Sequence, residues 1–269
     1  MLDIVLVVVF GMGVDGVGVA TVVSQLVSVV LVFRKMIMTR DVYRLIPKDL
    51  KINRRILLEV MDLGLPAAIQ SCLISLSNLF VQRYINDFGS TAMAGIGAAK
   101  KLDKFAGMPS NALGLATATF VSQNYGAGKI DRAYKGIRNC LALSFATVAV
   151  IAIPLYFKAP DFVSMFISDD ANAVGYGVSM MQCMLPLYYF QALNQMFSNA
   201  SRGFGRSRAV MVLSLIGMIG MRQLFLAITM NLDRDIRYVY YGFPLGWAFS
   251  AMFVMIYFYR KIWKIHRPA

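Results

Sequence analysis

Seven stretches of the sequence hold no Asp, Glu, Lys, Arg or His: 16–33, 63–82, 105–128, 140–157, 171–201, 223–232 (extended back past one Arg to 209) and 238–259. A helix needs roughly 20 mostly apolar residues to cross the hydrocarbon layer. Each stretch reaches or approaches that length, so the pattern predicts helices in lipid. In that solvent the backbone must satisfy its own hydrogen bonds. An apolar segment at residues 2–10 is too short to span and reads as the tail of a helix. A Gly-rich turn follows at 11–18. The fold class predicted is an all-α membrane protein: a six-helix transmembrane bundle (the C-lobe), preceded by the last one to two helices of an N-lobe that lies before this chain.

Four regions follow. Residues 1–34 are the end of the first lobe, 35–56 a cytoplasmic linker, 57–264 the six-helix lobe and 265–269 a tail. Within the linker, Val42, Leu45, Ile46 and Leu50 form a pattern expected to make an amphipathic helix on the membrane surface. Small-residue entries open two spans, Gly13-x-x-Gly16-x-Gly18 and Gly242-x-x-x-Gly246. Both spans close on a basic pair, which reads as a faint internal repeat.

Composition supports the lipid reading: 58% of residues are hydrophobic and 15% charged, against about 25% charged in soluble domains. The net charge of +13 is not one continuous basic face, which excludes a nucleic-acid footprint. Basic clusters occupy every second loop, at 34–55, 129–138, 202–208 and 260–267, whereas the loops between them are acidic or mixed. This alternation puts the C-terminus in the cytoplasm, in a multi-pass protein of the cell's inner (cytoplasmic) membrane. Cys72, Cys140 and Cys183 lie in apolar runs and read as small buried hydrophobes. His266, the sole histidine, cannot build a metal site, and no cofactor or metal is expected. No P-loop, intramembrane carboxylate pair or HExxH is present, so the chain is not read as an enzyme.

Polar groups inside the spans carry the candidate chemistry. Lys100, Lys101, Asp103 and Lys104 follow an apolar stretch at 92–99 and precede an uncharged run. If the helix starts near Thr91, these charges lie well inside it and must face water or a partner. Lys100 and Asp103, three apart, can then pair on one face, with Lys104 on the same side. If the helix starts at Lys104, the cluster is interfacial and snorkels. Ser71, Ser75, Asn78 and Gln82 share one face of their span, flanked by Gln70 and Ser77. Gln191, Asn194, Gln195 and Ser198 do the same in another. Each stripe either lines a wet cavity or ties helices together. The candidate substrate cavity is Lys100, Asp103 and Lys104 with Gln70, Ser71, Ser75, Asn78, Gln191, Asn194 and Gln195. Arg222 is expected to anchor its helix to backbone carbonyls, and Pro66, Pro109, Pro154, Pro186 and Pro244 to kink theirs. Gly126-Ala-Gly128, followed by Lys129 and Arg132, reads as a helix C-cap and stop.

The segment Val121-Ser-Gln123-Asn124-Tyr-Gly126-Ala-Gly128 resembles the Q-N-x-G-A-G signature of multidrug and toxic compound extrusion (MATE) transporters. Gly64-Leu-Pro66 resembles the opening of that family's seventh helix. Ser201-Arg202-Gly203-Phe-Gly205 resembles the turn between its tenth and eleventh helices. The segment from Gly13 to Gln25 resembles the sixth. The matches run in family order over nearly the whole chain. The resemblance implies two six-helix bundles, of which this chain covers the end of helix five through helix twelve. It also implies export of amphipathic, cationic organic compounds, coupled to Na⁺ or H⁺ by alternating access, with the lipid bilayer and the first lobe as partners. Three features depart from the family. Ile74 stands where some members carry an acid, 189–198 holds no Asp, and the first helix with its Asp is absent. No residue here is therefore assigned to the coupling ion. Two other readings stand beside this one: a flippase of lipid-linked oligosaccharides, and a non-transporting remnant or assembly partner. The chain alone is not expected to transport.

Overall fold

The structure, a computed structural model, describes residues 2–41, 44–167 and 170–264. The chain forms two compact units, Met1–Leu57 and Leu58–Ala269.

In the first unit, helix α1 (Leu2–Ile4) runs into a π turn at Val5–Val9. Gly11 and Gly13 take φ of 63° and 56° to turn the chain, a conformation that glycine adopts without penalty. Helix α2 (Gly13–Met38) follows for 26 residues. The surface helix expected within 35–56 is not formed. Apart from one 3₁₀ turn at Pro47–Asp49, the described linker residues after Met38 are irregular up to Asn53. The cause is Pro47, which drives Ile46 to an extended φ,ψ of −106°, 104° and breaks the helical phase there. Val42 and the tail at 265–269 lie outside the described residues.

The second unit begins within helix α3 (Arg54–Asn86). Helix α4 (Gly89–Gly126) is 38 residues long and α5 (Ile130–Phe157) 28. A short helix α6 (Ala159–Ser164) leads to α7 (Ala171–Met184). Asp170 caps α7 by accepting from the Asn172 and Ala173 N–H groups. A 3₁₀ turn around Pro186, Leu185–Leu187, joins α7 to α8 (Tyr188–Gly203). Helix α9 (Ser207–Leu215) continues through a π segment, Ile216–Met221, into α10 (Arg222–Leu232). Helix α11 (Ile236–Phe258), capped by Asp235, ends the bundle with a π turn to Trp263. Every charge-free run is thus helical. Pro66, Pro109, Pro154 and Pro244 sit within continuous helices, whereas Pro186 interrupts one.

Among the described residues, five rods are long and apolar enough to cross a membrane: α2, α3, α5, the α9–α10 rod and the α11 rod. The remaining two depart from that pattern for visible reasons: α4 carries the lysine cluster in its first half and Pro109, Ser110, Asn111, Thr117 and Thr119 in its uncharged half, and Pro186 divides α7 from α8. Because lipid tails are as apolar as leucine, packing in a membrane depends on close backbone approach over small residues. Gly95 of α4 meets Gly177 of α7 so closely that a Cβ on Gly177 would lie 2.9 Å from the Gly95 carbonyl oxygen. Gly217 lies against Ser250 of α11, where an added Cβ would come within 2.9 Å of the Ser250 Cβ. Gly242 and Gly246, one turn apart on α11, face Leu226 and Met218. The small-residue entry seen in the sequence is therefore a helix–helix seam.

Candidate functional site

Helix α4 starts at Gly89, which settles where the lysine cluster sits. Lys100 lies eleven residues into the helix, about 16 Å at 1.5 Å per residue. It is half-buried and its Nζ donates to Gln82 Oε1 of α3 at 2.8 Å. Asp103 turns the other way and accepts from the hydroxyl of Tyr188, the first residue of α8. Tyr188 is itself 1% exposed and stacks edge-on against Trp247 at 5.6 Å. The expected Lys100–Asp103 ion pair is not among the ion pairs of the described residues. Three residues subtend about 60° on a helix, enough here to send one side chain to α3 and the other to α8. Lys101 lies over the Phe166 ring at 5.3 Å, and Lys104 is exposed.

Below Asp103 the two helices run parallel in one register. Gly107 faces Gln191: a Cβ there would lie 3.3 Å from the Gln191 amide nitrogen. One turn on, Gln195 Nε2 donates to Asn111 Oδ1. Asn199, which returns its amide to the Gln195 carbonyl at 2.9 Å, crowds Gly114. The buried Gln191 Oε1 has no hydrogen-bond partner in this seam. Asn194 faces away from α4. Its Oδ1 accepts from Ser250 at 2.7 Å and Ser198 at 3.4 Å. The α8 stripe therefore divides, with Gln191 and Gln195 toward α4 and Asn194 toward α11.

On α3 the flank and the stripe exchange roles. Ser71 and Ser75 are exposed and bond only to carbonyls one turn back, at 3.0 and 2.9 Å, and Asn78 is exposed too. The buried positions are Gln70 and Ser77. Gln70 Oε1 accepts from Arg202 at 2.7 Å. The Ser77 hydroxyl accepts from Arg222 at 2.6 Å and from Gln223 at 2.8 Å. Arg222 also lies 5.3 Å over the Phe243 ring. Its partners are thus a hydroxyl and an aromatic face, not the backbone carbonyls expected. With Lys100 on Gln82, three α3 positions are each held by a basic side chain from another helix. Such charge-assisted bonds contribute about 1.5–3 kcal/mol each.

The signature residues build two matching helix ends. At the end of α4, Gly128 has φ 72°, its N–H bonds to the Tyr125 carbonyl at 3.0 Å, and Lys129 N–H bonds to the Asn124 carbonyl at 2.8 Å. Gln123 accepts from Ala127 N–H at 3.1 Å, and the Asn124 side chain donates to Phe120 O at 2.7 Å. At the end of α8, Gly205 (φ 77°) bonds to Arg202 O at 2.8 Å and Arg206 to Ser201 O at 3.0 Å. Both are Schellman caps, which glycine makes in the left-handed region. Gly126 ends α4 in open space, whereas Gly203 packs on Val121 of α4, where a Cβ would lie 2.8 Å from the Val121 Cβ.

Asn111, Tyr188 and Gln223 escaped the sequence reading. Asn111 shares a face with Asp103 and Gly107 at spacings of four, which is a usable signal. Tyr188 follows the Pro186 turn, where helical phase is reset.

Bilayer-length helices with charge and amides along their internal seams define an integral membrane bundle. The family model MatE matches residues 66–228, and the chain belongs to that family, whose members are transporters and not enzymes. A Bacillus subtilis (strain 168) relative, "Probable multidrug resistance protein YoeA", is 26% identical over 258 residues, 94% of this chain and 55% of that protein. An "FAD transporter" of Shewanella oneidensis is 24% identical over 218 residues, 78% of this chain and 48% of its own. The chain spans about half the length of the curated relatives it matches. A solved outward-facing MATE family multidrug transporter shares the fold with a TM-score of 0.87 at 19% identity, over 99% of this chain and 60% of that one.

Proposed function

We propose that the chain supplies the second lobe, with the end of the first, of an antiporter that exports amphipathic organic compounds against inward Na⁺ or H⁺. It works by alternating access, in the cytoplasmic membrane with its C-terminus inside. The observation that carries this reading is the seam Asp103–Tyr188, Gly107–Gln191, Asn111–Gln195 in a MatE bundle. A carboxylate about 20 Å along a membrane helix costs several kcal/mol unless it is partnered or meets water, which makes Asp103, held by one phenol, a candidate for function. Asp103 would hold or release a cation as the seam opens, with Lys100 close enough on α4 to oppose a second positive charge. Ser71, Ser75, Asn78 and Lys104 would face the substrate path.

The test is made on the complete transporter, this chain together with the first lobe, in proteoliposomes under an imposed Na⁺ or H⁺ gradient. A fluorescent organic cation should move only when a gradient is imposed, and Asp103→Asn should slow it at least tenfold. Unchanged flux in D103N would remove Asp103 from the site.

A second reading concerns substrate charge. Lys100, Lys101 and Lys104 outnumber Asp103, and one relative is an FAD transporter, so an anionic organic substrate is favoured by the local charge. Faster movement of a flavin dinucleotide than of the cation would select it. The flippase reading draws on the same lysines and would show instead as movement of a pyrophosphate-linked lipid.

A further inference from the structure

At the basic end of the second unit, a cavity of about 670 Å³ opens between α5, α8 and α11. Its wall is a preassembled aromatic cluster. Tyr134 meets Trp263 edge-on at 4.4 Å and Phe258 at 6.2 Å, and Phe197 meets Phe258 at 5.4 Å. Tyr134 is fixed further by its hydroxyl, which donates to the Ile262 carbonyl at 3.3 Å. The rim carries Lys135 and Arg138, three apart on the exposed face of α5. Their neighbour Arg132 is occupied by the Phe120 ring. Among the described residues, Lys135 and Arg138 have neither an ion pair nor a ring partner. Asp131 shares the rim but leaves it net positive.

We infer that this cavity is a binding site for an anionic phospholipid. The rim lies five to eight residues into α5, about 8–12 Å along it, the depth of a headgroup region when the helix start is at the interface. Lys135 and Arg138 would take the phosphate, since cations near an anionic leaflet attract such headgroups. Tyr134 and Trp263 sit where aromatic side chains favour the interface. Deeper along the cavity come Leu141 and Met255, an apolar path for an acyl chain. An organic cation would meet the wrong charge at the entrance. The site concerns lipid and not cargo, so it does not require the transport reading; its assignment to the inner leaflet rests on the proposed orientation.

The test is native mass spectrometry of the full chain in detergent, titrated with phosphatidylglycerol or phosphatidylcholine. Phosphatidylglycerol should bind preferentially, and K135Q/R138Q should weaken it by roughly thirtyfold, about fivefold for each cation. The charge-preserving K135R/R138K and the off-site K129Q should keep it. Equal binding of the two lipids, or full binding to K135Q/R138Q, would overturn the proposal. Displacement by inorganic phosphate alone would mark a plain anion site and overturn it too. Labelling of Lys264→Cys from one side of the membrane checks the orientation separately.

Discussion

The seams around α3 and between α4 and α8 are both polar, yet they are built from different materials. Along α3 the acceptors are Gln70, Ser77 and Gln82, and each receives a cation or a cation plus an amide: Arg202, Arg222 with Gln223, and Lys100. Between α4 and α8, from Asp103 to Gly114, the contacts are amide to amide or amide over glycine, with one carboxylate bonded to one phenol. A buried arginine loses much when its partner is removed, because an unsatisfied charge remains in a medium that solvates it poorly. Neutral amide pairs inside membranes contribute only about 0.6–2 kcal/mol. The α3 seam is a fastening. The α4–α8 seam is the part that can change its pairing at small cost, which suits the working site proposed for it.

This contrast can be broken in several ways, beginning with the largest effect. In the complete transporter, Asp103→Asn should lower flux at least tenfold while thermal stability in detergent stays within about 1 kcal/mol. On the α3 side, Ser77→Val removes the acceptor of Arg222 and should cost about 3 kcal/mol or more, read as a lower midpoint in a thermal unfolding assay. Gly107→Ala brings a methyl against the Gln191 amide and should cost about 1 kcal/mol. Its flux loss should exceed that of Gly97→Ala, where a Cβ meets nothing within 4 Å. Smallest of all, Ser71→Ala and Ser75→Ala should shift stability by less than about 0.5 kcal/mol, since each hydroxyl bonds only to its own helix.

The helices were readable because lipid leaves the backbone no other choice. The apolar stretch before Lys100 left two starts open for α4, near Thr91 or at Lys104, and the helix begins at Gly89; its cap was readable from Gly126-Ala-Gly128. What turns inward on α3 was not. Adjacent residues on a helix differ by about 100°, so Gln70 and Ser71 compete for the same description, and only the positions of Arg202 and Arg222 on other helices choose Gln70 and Ser77. In the linker, the apolar pattern of Leu45 and Ile46 promised a surface helix, but the restriction imposed by Pro47 outweighed it. The pairing of Lys100 with Asp103 was a sound local expectation that lost to two better-placed partners, Gln82 and Tyr188.

The assignment of the α4–α8 seam to transport turns on whether the Asp103–Tyr188 bond works or merely holds. A double-mutant cycle of Asp103→Asn and Tyr188→Phe, with flux and unfolding midpoint both measured on the complete transporter at equal membrane abundance, separates the two. We expect each single change to cut flux by at least tenfold, the double to be little worse than either, and the midpoint to fall for Tyr188→Phe, which strands the Asp103 carboxylate, but to move only slightly for Asp103→Asn and for the double change. Flux that survives both changes, with the midpoints falling instead, would make the bond structural and remove the seam from the transport cycle.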